Sequence, residues 1–86
     1  MFFIDITQKS LKFLDKLNHK DKDLILNKIY SIRNDPFRFV KKLEGTRLWR
    51  LRVRDYRAVL DILISGNKII VLRIGHRRNI YDKLKN

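Results

Sequence analysis

Hydrophobic residues in the first half of the chain recur at the spacing of helices. One such stretch follows Thr7, a residue type that caps helix N-termini, and a second ends at Asn34-Asp35-Pro36. The two apolar stripes consist of Leu11, Leu14 and Leu17, and of Leu24, Ile25, Ile29 and Ile32. An apolar segment at residues 2–6 comes before both. The pattern predicts a short strand followed by a helix hairpin with one apolar face.

The second half alternates between apolar and charged residues, which is the period of a strand. In Trp49-Arg50-Leu51-Arg52-Val53-Arg54 the apolar members can enter a core while the arginines share the other face. A tight turn at Asp55-Tyr56 and a looser one at Gly66-Asn67-Lys68 separate the predicted strands. These strands cover residues 47–54, 56–64 and 69–75. Such short links predict a three-stranded antiparallel meander.

The segments on either side of the meander have weaker patterns. Residues 37–45 are irregular and basic, and residues 77–84 predict a short C-terminal helix or tail. Together the elements are typical of an α+β fold with the helices packed on one face of the sheet. At 86 residues the chain is expected to form a single domain, residues 1–86.

The predicted turns give a register that can be checked against charge. With Asp55-Tyr56 as the first loop, Arg54 pairs with Arg57, Arg52 with Val59 and Arg50 with Asp61. A three-residue second loop pairs Leu60 with Ile74 and Ile62 with Leu72, and sets Asp61 between Arg50 and Arg73. All core pairs are then apolar. The other face is predicted to be open and to carry Arg50, Arg52, Arg54, Arg57 and Arg73.

The charge of the chain indicates a function as well as a fold. The net charge is +12, and residues 47–86 hold 11 Lys/Arg against 3 Asp/Glu and eight of the ten arginines. An arginine can fork onto a phosphate or stack on a base. Three like charges on one strand face repel one another, so the array indicates a polyanionic partner, with nucleic acid as the first candidate.

Composition also excludes several classes of protein. The chain has no cysteine, and His19 and His76 have no suitably spaced carboxylates, so no metal site or cofactor is expected. The apolar runs are too short to cross a bilayer. The N-terminal apolar residues have no basic segment before them, so no signal peptide is indicated, and we expect a cytoplasmic protein without membrane contact.

The order of elements and three short motifs resemble the RelE/ParE superfamily of bacterial and archaeal toxins. The motifs are Leu43-Glu44-Gly45, Tyr56-Arg57 and Gly75-His76-Arg77-Arg78-Asn79-Ile80-Tyr81. Together, in this order, they look most like a RelE-type toxin of a type II toxin–antitoxin system. Such toxins cut mRNA in the ribosomal A site. The resemblance therefore implies a ribosome-dependent endoribonuclease.

The resemblance also implies roles for particular residues. Arg57 and Arg77 match phosphate-contacting arginines of RelE-type toxins, and Tyr81 matches a catalytic or base-stacking tyrosine. Arg50 and Arg52 stand where some relatives carry lysines. An arginine stays protonated, so these two are expected to stabilise charge and not to act as bases. Four further residues are expected to contact RNA: Arg54, Arg73, His76 and Arg78.

The chemistry of RNA cleavage without a metal restricts which residues could act as the catalytic base and acid. The 2'-hydroxyl must attack the adjacent phosphorus, which requires a base, cations on the phosphorane and an acid for the leaving oxygen. His76 and Tyr81 are the titratable candidates near the arginine face. Each has a structural alternative, His76 as the end of a strand and Tyr81 as an anchor for the C-terminal segment.

Two other functions remain open from the sequence. One is a ParE-like inhibitor of DNA gyrase that does not cleave nucleic acid, although such proteins generally lack the full arginine and tyrosine set. The other is a plain nucleic-acid-binding module. A toxin further implies an acidic, RelB-like antitoxin that wraps the basic domain, besides mRNA and the ribosome as partners.

Overall fold

The computed structural model describes residues 1–80, which form two helices and one five-stranded sheet. The helices are α1 (Gln8–Asp15) and α2 (His19–Ser31), and a single 3-10 turn spans Pro36–Arg38. The strands are β1 (Phe3–Ile6), β2 (Val40–Lys42), β3 (Trp49–Val53), β4 (Tyr56–Leu63) and β5 (Lys68–His76). The predicted α+β class, helix hairpin and antiparallel meander are confirmed. No helix of residues 1–80 is long and apolar enough to cross a membrane.

The sheet order is β1-β5-β4-β3-β2. β1 lies parallel to β5, and the other neighbours are antiparallel. β2 lies within the stretch predicted to be irregular. Only three residues long, it is too short for its alternation to stand out in the sequence. Its pairing with β3 instead comes from the tertiary structure, in which Val40 is buried opposite Leu51.

One face of the sheet packs against the two helices. Leu14 of α1 and Ile25 and Ile29 of α2 are fully buried against Leu51 and Leu60 of the meander. Both helices begin at polar caps, because the side chains of Thr7 and Asn18 accept hydrogen bonds from backbone N–H groups three residues later. The Thr7 cap was predicted from the sequence and is confirmed.

The register between β3 and β4 differs from the predicted one by two residues. Val53 pairs with Tyr56, so the loop is Arg54-Asp55 and not Asp55-Tyr56. Arg54 adopts a φ of 55°, the left-handed conformation that tight hairpin loops require. Arg52 therefore lies opposite Arg57. A shift of two residues keeps every side chain on its own face, which is why the hydrophobic pattern could not reveal it.

The register between β4 and β5 also differs, because β5 contains a bulge. Leu60 pairs with Val71 and Val59 with Arg73, which leaves Leu72 as the extra residue. The second loop has four residues, 64–67, since Leu63 pairs with Lys68. The predicted pairs of Leu60 with Ile74 and of Ile62 with Leu72 are therefore wrong. So is the predicted place of Asp61 between Arg50 and Arg73.

The start of α1 is bonded to this bulge. The Thr7 hydroxyl lies 3.0 Å from the carbonyl oxygens of both Val71 and Leu72, and it can donate to one of them at a time. The buried hydroxyl of Ser10 donates to the Val71 carbonyl at 2.9 Å. These bonds satisfy carbonyl oxygens in a strand whose ladder is interrupted there. They fix the helix hairpin relative to β5.

We expect Thr7→Ala to lower the free energy of unfolding by about 1–2 kcal/mol, because it removes both the helix cap and the bond to the bulge. Urea denaturation checks this. Thr7→Ser keeps the hydroxyl and is the matched control, with a smaller loss expected. Equal losses in the two variants would mean that the methyl group, and not the hydroxyl, stabilises this junction.

Candidate nucleic-acid interface

The face of the sheet away from the helices has two pairs of like charges at directly opposed positions. Lys41 of β2 lies opposite Arg50 of β3, and Arg52 of β3 lies opposite Arg57 of β4. These four cations and Phe39 line a cleft of about 340 Å³, called here the cationic cleft. Within residues 1–80 none of the four forms an ion pair. Directly opposed like charges destabilise a sheet, so the cleft is suited to an anionic ligand.

Arg57 is the buried member of the cationic cleft, with 9% of its surface exposed. Its Nη1 donates to the carbonyl oxygens of Arg54 and Tyr56, each at 2.8 Å. These bonds hold the guanidinium in one orientation and use two of its five N–H donors. No described carboxylate neutralises its charge. A buried, oriented and uncompensated guanidinium is a strong site for a phosphate oxygen.

The turn after β5 folds onto this same face. The backbone N–H groups of Asn79 and Ile80 both donate to the His76 carbonyl, and Ile80 is buried. Its side chain lies over Gly75, where an added Cβ would be 2.9 Å from Ile80 Cδ1. Because Gly75 is directly opposite Arg57, the turn lies next to Arg57 on this face.

Arg77 is brought by this turn to the loop between β3 and β4. Its backbone N–H donates to the Asp55 carbonyl at 2.8 Å, and its Nε lies 4.0 Å from Asp55 Oδ1. This loop also supplies the Arg54 carbonyl that orients Arg57. Arg57 and Arg77, which are far apart in the sequence, are thus both attached to one hairpin loop.

The remaining predicted site residues are more scattered. Arg73 lies opposite Val59 on the open face and is half-buried, whereas Arg78 is exposed in the turn after β5. Arg54 is exposed in the hairpin loop, so its predicted pairing with Arg57 is wrong. Tyr81 lies outside the described residues.

His76 lies on the helix-facing side of the sheet and not in the cationic cleft. It is opposite Tyr56, and the two rings pack edge to face with centroids 6.0 Å apart. Tyr56 also packs against Phe13 of α1. Its hydroxyl donates to Asp21 Oδ2 of α2 at 2.8 Å. The alternative in which His76 is an end-of-strand structural residue therefore accounts for its contacts.

Two residues of the cleft, Phe39 and Lys41, were missed by the sequence reasoning. Phe39, Val40 and Lys41 do alternate, with the middle residue buried and the outer two facing the cleft, but three positions are too few to indicate a strand from sequence. Within residues 1–80, no three metal-ligating side chains are grouped together.

A family model described as "ParE toxin of type II toxin-antitoxin system, parDE" matches residues 4–81. Among curated protein sequences, none matches this chain significantly.

Several solved structures share the fold. The archaeal RelE–RelB complex from Pyrococcus horikoshii OT3 has 26% identity and a TM-score of 0.78, with 91% of this chain and 97% of that chain covered. The toxin–antitoxin complex RelBE2 from Mycobacterium tuberculosis has 20% identity and a TM-score of 0.79, with 88% and 98% covered. The isolated E. coli RelE toxin has 22% identity and a TM-score of 0.77, with 98% and 95% covered.

Because of the Tyr56 hydroxyl, we expect the free energy of unfolding to change with pH in the alkaline range. Its hydrogen bond to Asp21, followed by burial and by the charges of Asp21 and Asp55, raises the pKa of Tyr56 above 10.0. The unfolded chain then loses this proton at a lower pH than the folded protein. The contribution of Tyr56 to stability is therefore complete below pH 10 and falls as pH rises through the raised pKa.

Tyr56→Phe should therefore flatten the loss of stability between about pH 9 and pH 11, and cost roughly 1–2 kcal/mol at neutral pH. Urea denaturation across this range measures both effects. Tyr30→Phe is the control, since Tyr30 is 43% exposed and its ring contact with Arg33 survives the change. An alkaline slope in Tyr56→Phe equal to that of the unmodified protein would contradict this assignment.

Because Arg52 and Arg57 lie directly opposite each other, we expect the cationic cleft to lower the free energy of unfolding of the protein. Arg52→Gln should raise the free energy of unfolding by about 0.2–1 kcal/mol at low salt, because it removes one of two directly opposed cations. The gain should shrink as salt screens the repulsion. Urea denaturation at low and high ionic strength tests this, with Lys20→Gln as an exposed control of equal charge change. A destabilised Arg52→Gln protein at low salt would show that Arg52 makes a compensating contact.

Proposed function

The chain belongs to the ParE toxin family of type II toxin–antitoxin systems, as its resemblance to the RelE/ParE superfamily predicted, and we propose that it is a RelE-like endoribonuclease. In this proposal it cleaves mRNA in the ribosomal A site without a metal and acts in the cytoplasm. The observation that carries the proposal is the buried guanidinium of Arg57 within the cationic cleft, which has no carboxylate partner among residues 1–80.

The cleft suits the charge that develops during cleavage. When the 2'-oxygen attacks, an O2'–P bond forms and the P–O5' bond breaks, which leaves a 2',3'-cyclic phosphate and a 5'-hydroxyl. Negative charge collects on the two non-bridging oxygens in the transition state. Arg57 donates to these oxygens from a fixed position, and Arg50 and Arg52 add charge at the same cleft. Arg77 contacts the neighbouring phosphate from the turn after β5, where it is bonded to the hairpin loop.

The residues that line the cleft are poorly suited to proton transfer, which the reaction also requires. Three arginines, one lysine and one phenylalanine line it, and His76 is on the other side of the sheet. We assign the work on the 2'-hydroxyl, or stacking on a base, to Tyr81, on the strength of the family resemblance. Activity on free RNA should then be weak, with the ribosome holding the 2'-oxygen in line with the phosphorus.

Contacts to the rest of the RNA follow from where the other arginines lie. We assign backbone contacts to Arg54, Arg73 and Arg78, which are on the open face or at the hairpin end. These contacts position RNA and carry no sequence information by themselves. His76 is left out because its ring packs against Tyr56 on the helix side.

The same face suits an acidic antitoxin. Solved structures with this fold include RelE–RelB complexes. We propose that an acidic, RelB-like segment neutralises the cationic cleft of this chain and thereby excludes RNA. The net charge of +12 attracts an acidic partner electrostatically, whichever individual contacts that partner makes.

A second function is favoured by the family model itself, which is named for ParE toxins. In that case the chain would inhibit DNA gyrase and cleave no nucleic acid. A plain nucleic-acid-binding module is the remaining alternative, and it requires the arginines only for phosphate contacts.

In vitro translation of a defined message, with 5' ends mapped by primer extension, separates these functions. We expect new ends within A-site codons, and Arg57→Gln should reduce their rate of appearance by roughly 10²–10³-fold because one fixed donor to the phosphorane is lost. Arg33→Gln, a change of equal charge outside the cationic cleft, should cleave normally. Tyr81→Phe reports on proton transfer.

Other outcomes of this experiment would contradict the proposal in different ways. Intact message with unaffected translation, together with inhibited supercoiling by gyrase, would establish the ParE-like function. Stalled translation with intact message would establish a binding module. Cleavage of equal rate in Arg57→Gln would remove Arg57 from the reaction.

A further inference from the structure

The cationic cleft contains one side chain that cannot bind a phosphate. Of the five described residues that line it, Phe39 is the only one whose side chain has no hydrogen-bond donor, and 44% of its surface is exposed. A phenyl ring does not attract an anion. It offers a flat apolar surface in the same cleft whose cations suit the backbone of RNA.

Phe39 is held in this place by the backbone and not by packing of its own side chain. Its N–H donates to the carbonyl of Pro36 at 3.0 Å, and Pro36 is fully buried. The next residue, Val40, is buried opposite Leu51. Within residues 1–80, Phe39 does not belong to the hydrophobic core. A role in core packing therefore does not account for this ring.

Lys28 of α2 lies over the Phe39 ring. Its Nζ is 5.0 Å from the ring centroid, which is a cation–π distance. α2 packs on the helix side of the sheet, whereas the cleft is on the other face, so the ring stands at the β2 edge between them. A cation covers only one face of a phenyl ring. The exposed part of Phe39 can therefore receive a planar group from the cleft.

The separation between Phe39 and Arg57 suits one stretch of RNA backbone. Phe39 directly precedes β2, and β3 with Arg52 lies between β2 and β4, the strand of Arg57. Two strand spacings amount to roughly 10 Å. In RNA a phosphate and a base are joined through a ribose. A phosphate at Arg57 and a base at Phe39 can therefore belong to the same nucleotide or to adjacent ones.

A base fits this ring better than an apolar side chain of a protein partner would. The cleft offers such a side chain no second apolar surface, because its other described lining residues are Lys41 and three arginines. A base, in contrast, brings its own phosphate to these cations. It can also stack on Phe39 and on the guanidinium planes beside it.

We propose that Phe39 stacks on a base of the RNA whose cleaved phosphate is bound by Arg57. The inference rests on the proposed function, because it adds a base contact to the same RNA. Every base has a π face, so this contact positions RNA without selecting a sequence. A base held at Phe39 restricts the ribose that joins it to the phosphate, and so reduces the conformations among which the in-line geometry must be found.

Trinucleotides with a 2'-O-methyl group on every ribose test this proposal, because they bind without being cleaved. Three further versions each lack one base and keep all phosphates. We expect removal of one particular base to weaken binding to the unmodified protein by roughly 5–150-fold, measured by calorimetric titration at low ionic strength. In Phe39→Leu this loss should disappear, because the complete trinucleotide then binds no more tightly than the version lacking that base.

Two variants serve as controls for this titration. Phe39→Tyr keeps an aromatic ring and should keep the preference for the complete trinucleotide. Phe37→Leu removes the neighbouring exposed phenylalanine, which packs against Trp49 and does not line the cleft, and should bind as the unmodified protein does. An equal effect of Phe37→Leu and Phe39→Leu would show that the turn as a whole is disturbed, and would overturn the stacking role.

Other results would also overturn the base contact. One is equal affinity for the complete and the base-free versions, which would leave phosphate contacts alone. Another is an unchanged loss in Phe39→Leu. A third is Phe39-dependent binding of a leucine-containing acidic peptide without preference for complete trinucleotides, which would make Phe39 part of a protein-docking surface. Failure of every trinucleotide to bind would overturn the phosphate site at Arg57 as well.

The titration and the translation assay have separate outcomes, because binding of these trinucleotides needs no cleavage. A base contact that depends on Phe39, without new 5' ends in the message, would overturn the endoribonuclease proposal and leave the base contact in place. New 5' ends without such a contact would overturn the role of Phe39 alone.

Discussion

The position of β4 in the middle of the sheet is the constraint on which the rest of the structure depends. Six consecutive residues of this strand, from Arg57 to Ile62, are buried, so β4 is covered on both faces. On the helix side it contributes Ala58, Leu60 and Ile62 to the core. On the other side the buried residues include the charged Arg57 and Asp61, and a buried charged group needs polar partners. Arg57 donates hydrogen bonds to backbone carbonyl oxygens, and Asp61 accepts one from Arg47.

The open face combines repulsion with fixed geometry. Lys41 and Arg50, and likewise Arg52 and Arg57, are held opposite one another by backbone pairing that the apolar core on the far face stabilises. The free protein therefore carries a concentration of positive charge that an anion would relieve. In our proposals RNA and an acidic antitoxin compete to bind and neutralise this charge. A site that is unfavourable when empty suits a protein whose activity must be suppressed by a partner.

The fold alone does not distinguish the functions of this family, because functions depend on particular side chains. The sequence correctly placed Arg50, Arg52 and Arg57 on one face, since strand alternation fixes the face of each residue. The same alternation puts His76, two residues after the core-facing Ile74, on the helix side, so its expected contact with RNA came from the family resemblance and not from the strand pattern. Lys41 and Phe39 also escaped prediction, because a three-residue strand has too few positions to show a period.

The sequence by itself determined the helices, the alternation of the strands and the concentration of arginine on one side, because these depend on local spacing and residue type. The tertiary structure decided which residues oppose one another. The pairing of Arg52 with Arg57, in place of Val59, depends on a left-handed Arg54 in the hairpin loop. The order of the strands depends on contacts between distant segments, such as Thr7 with Val71. A period of two residues is unchanged by a slip of two, so only these specific bonds fix the register.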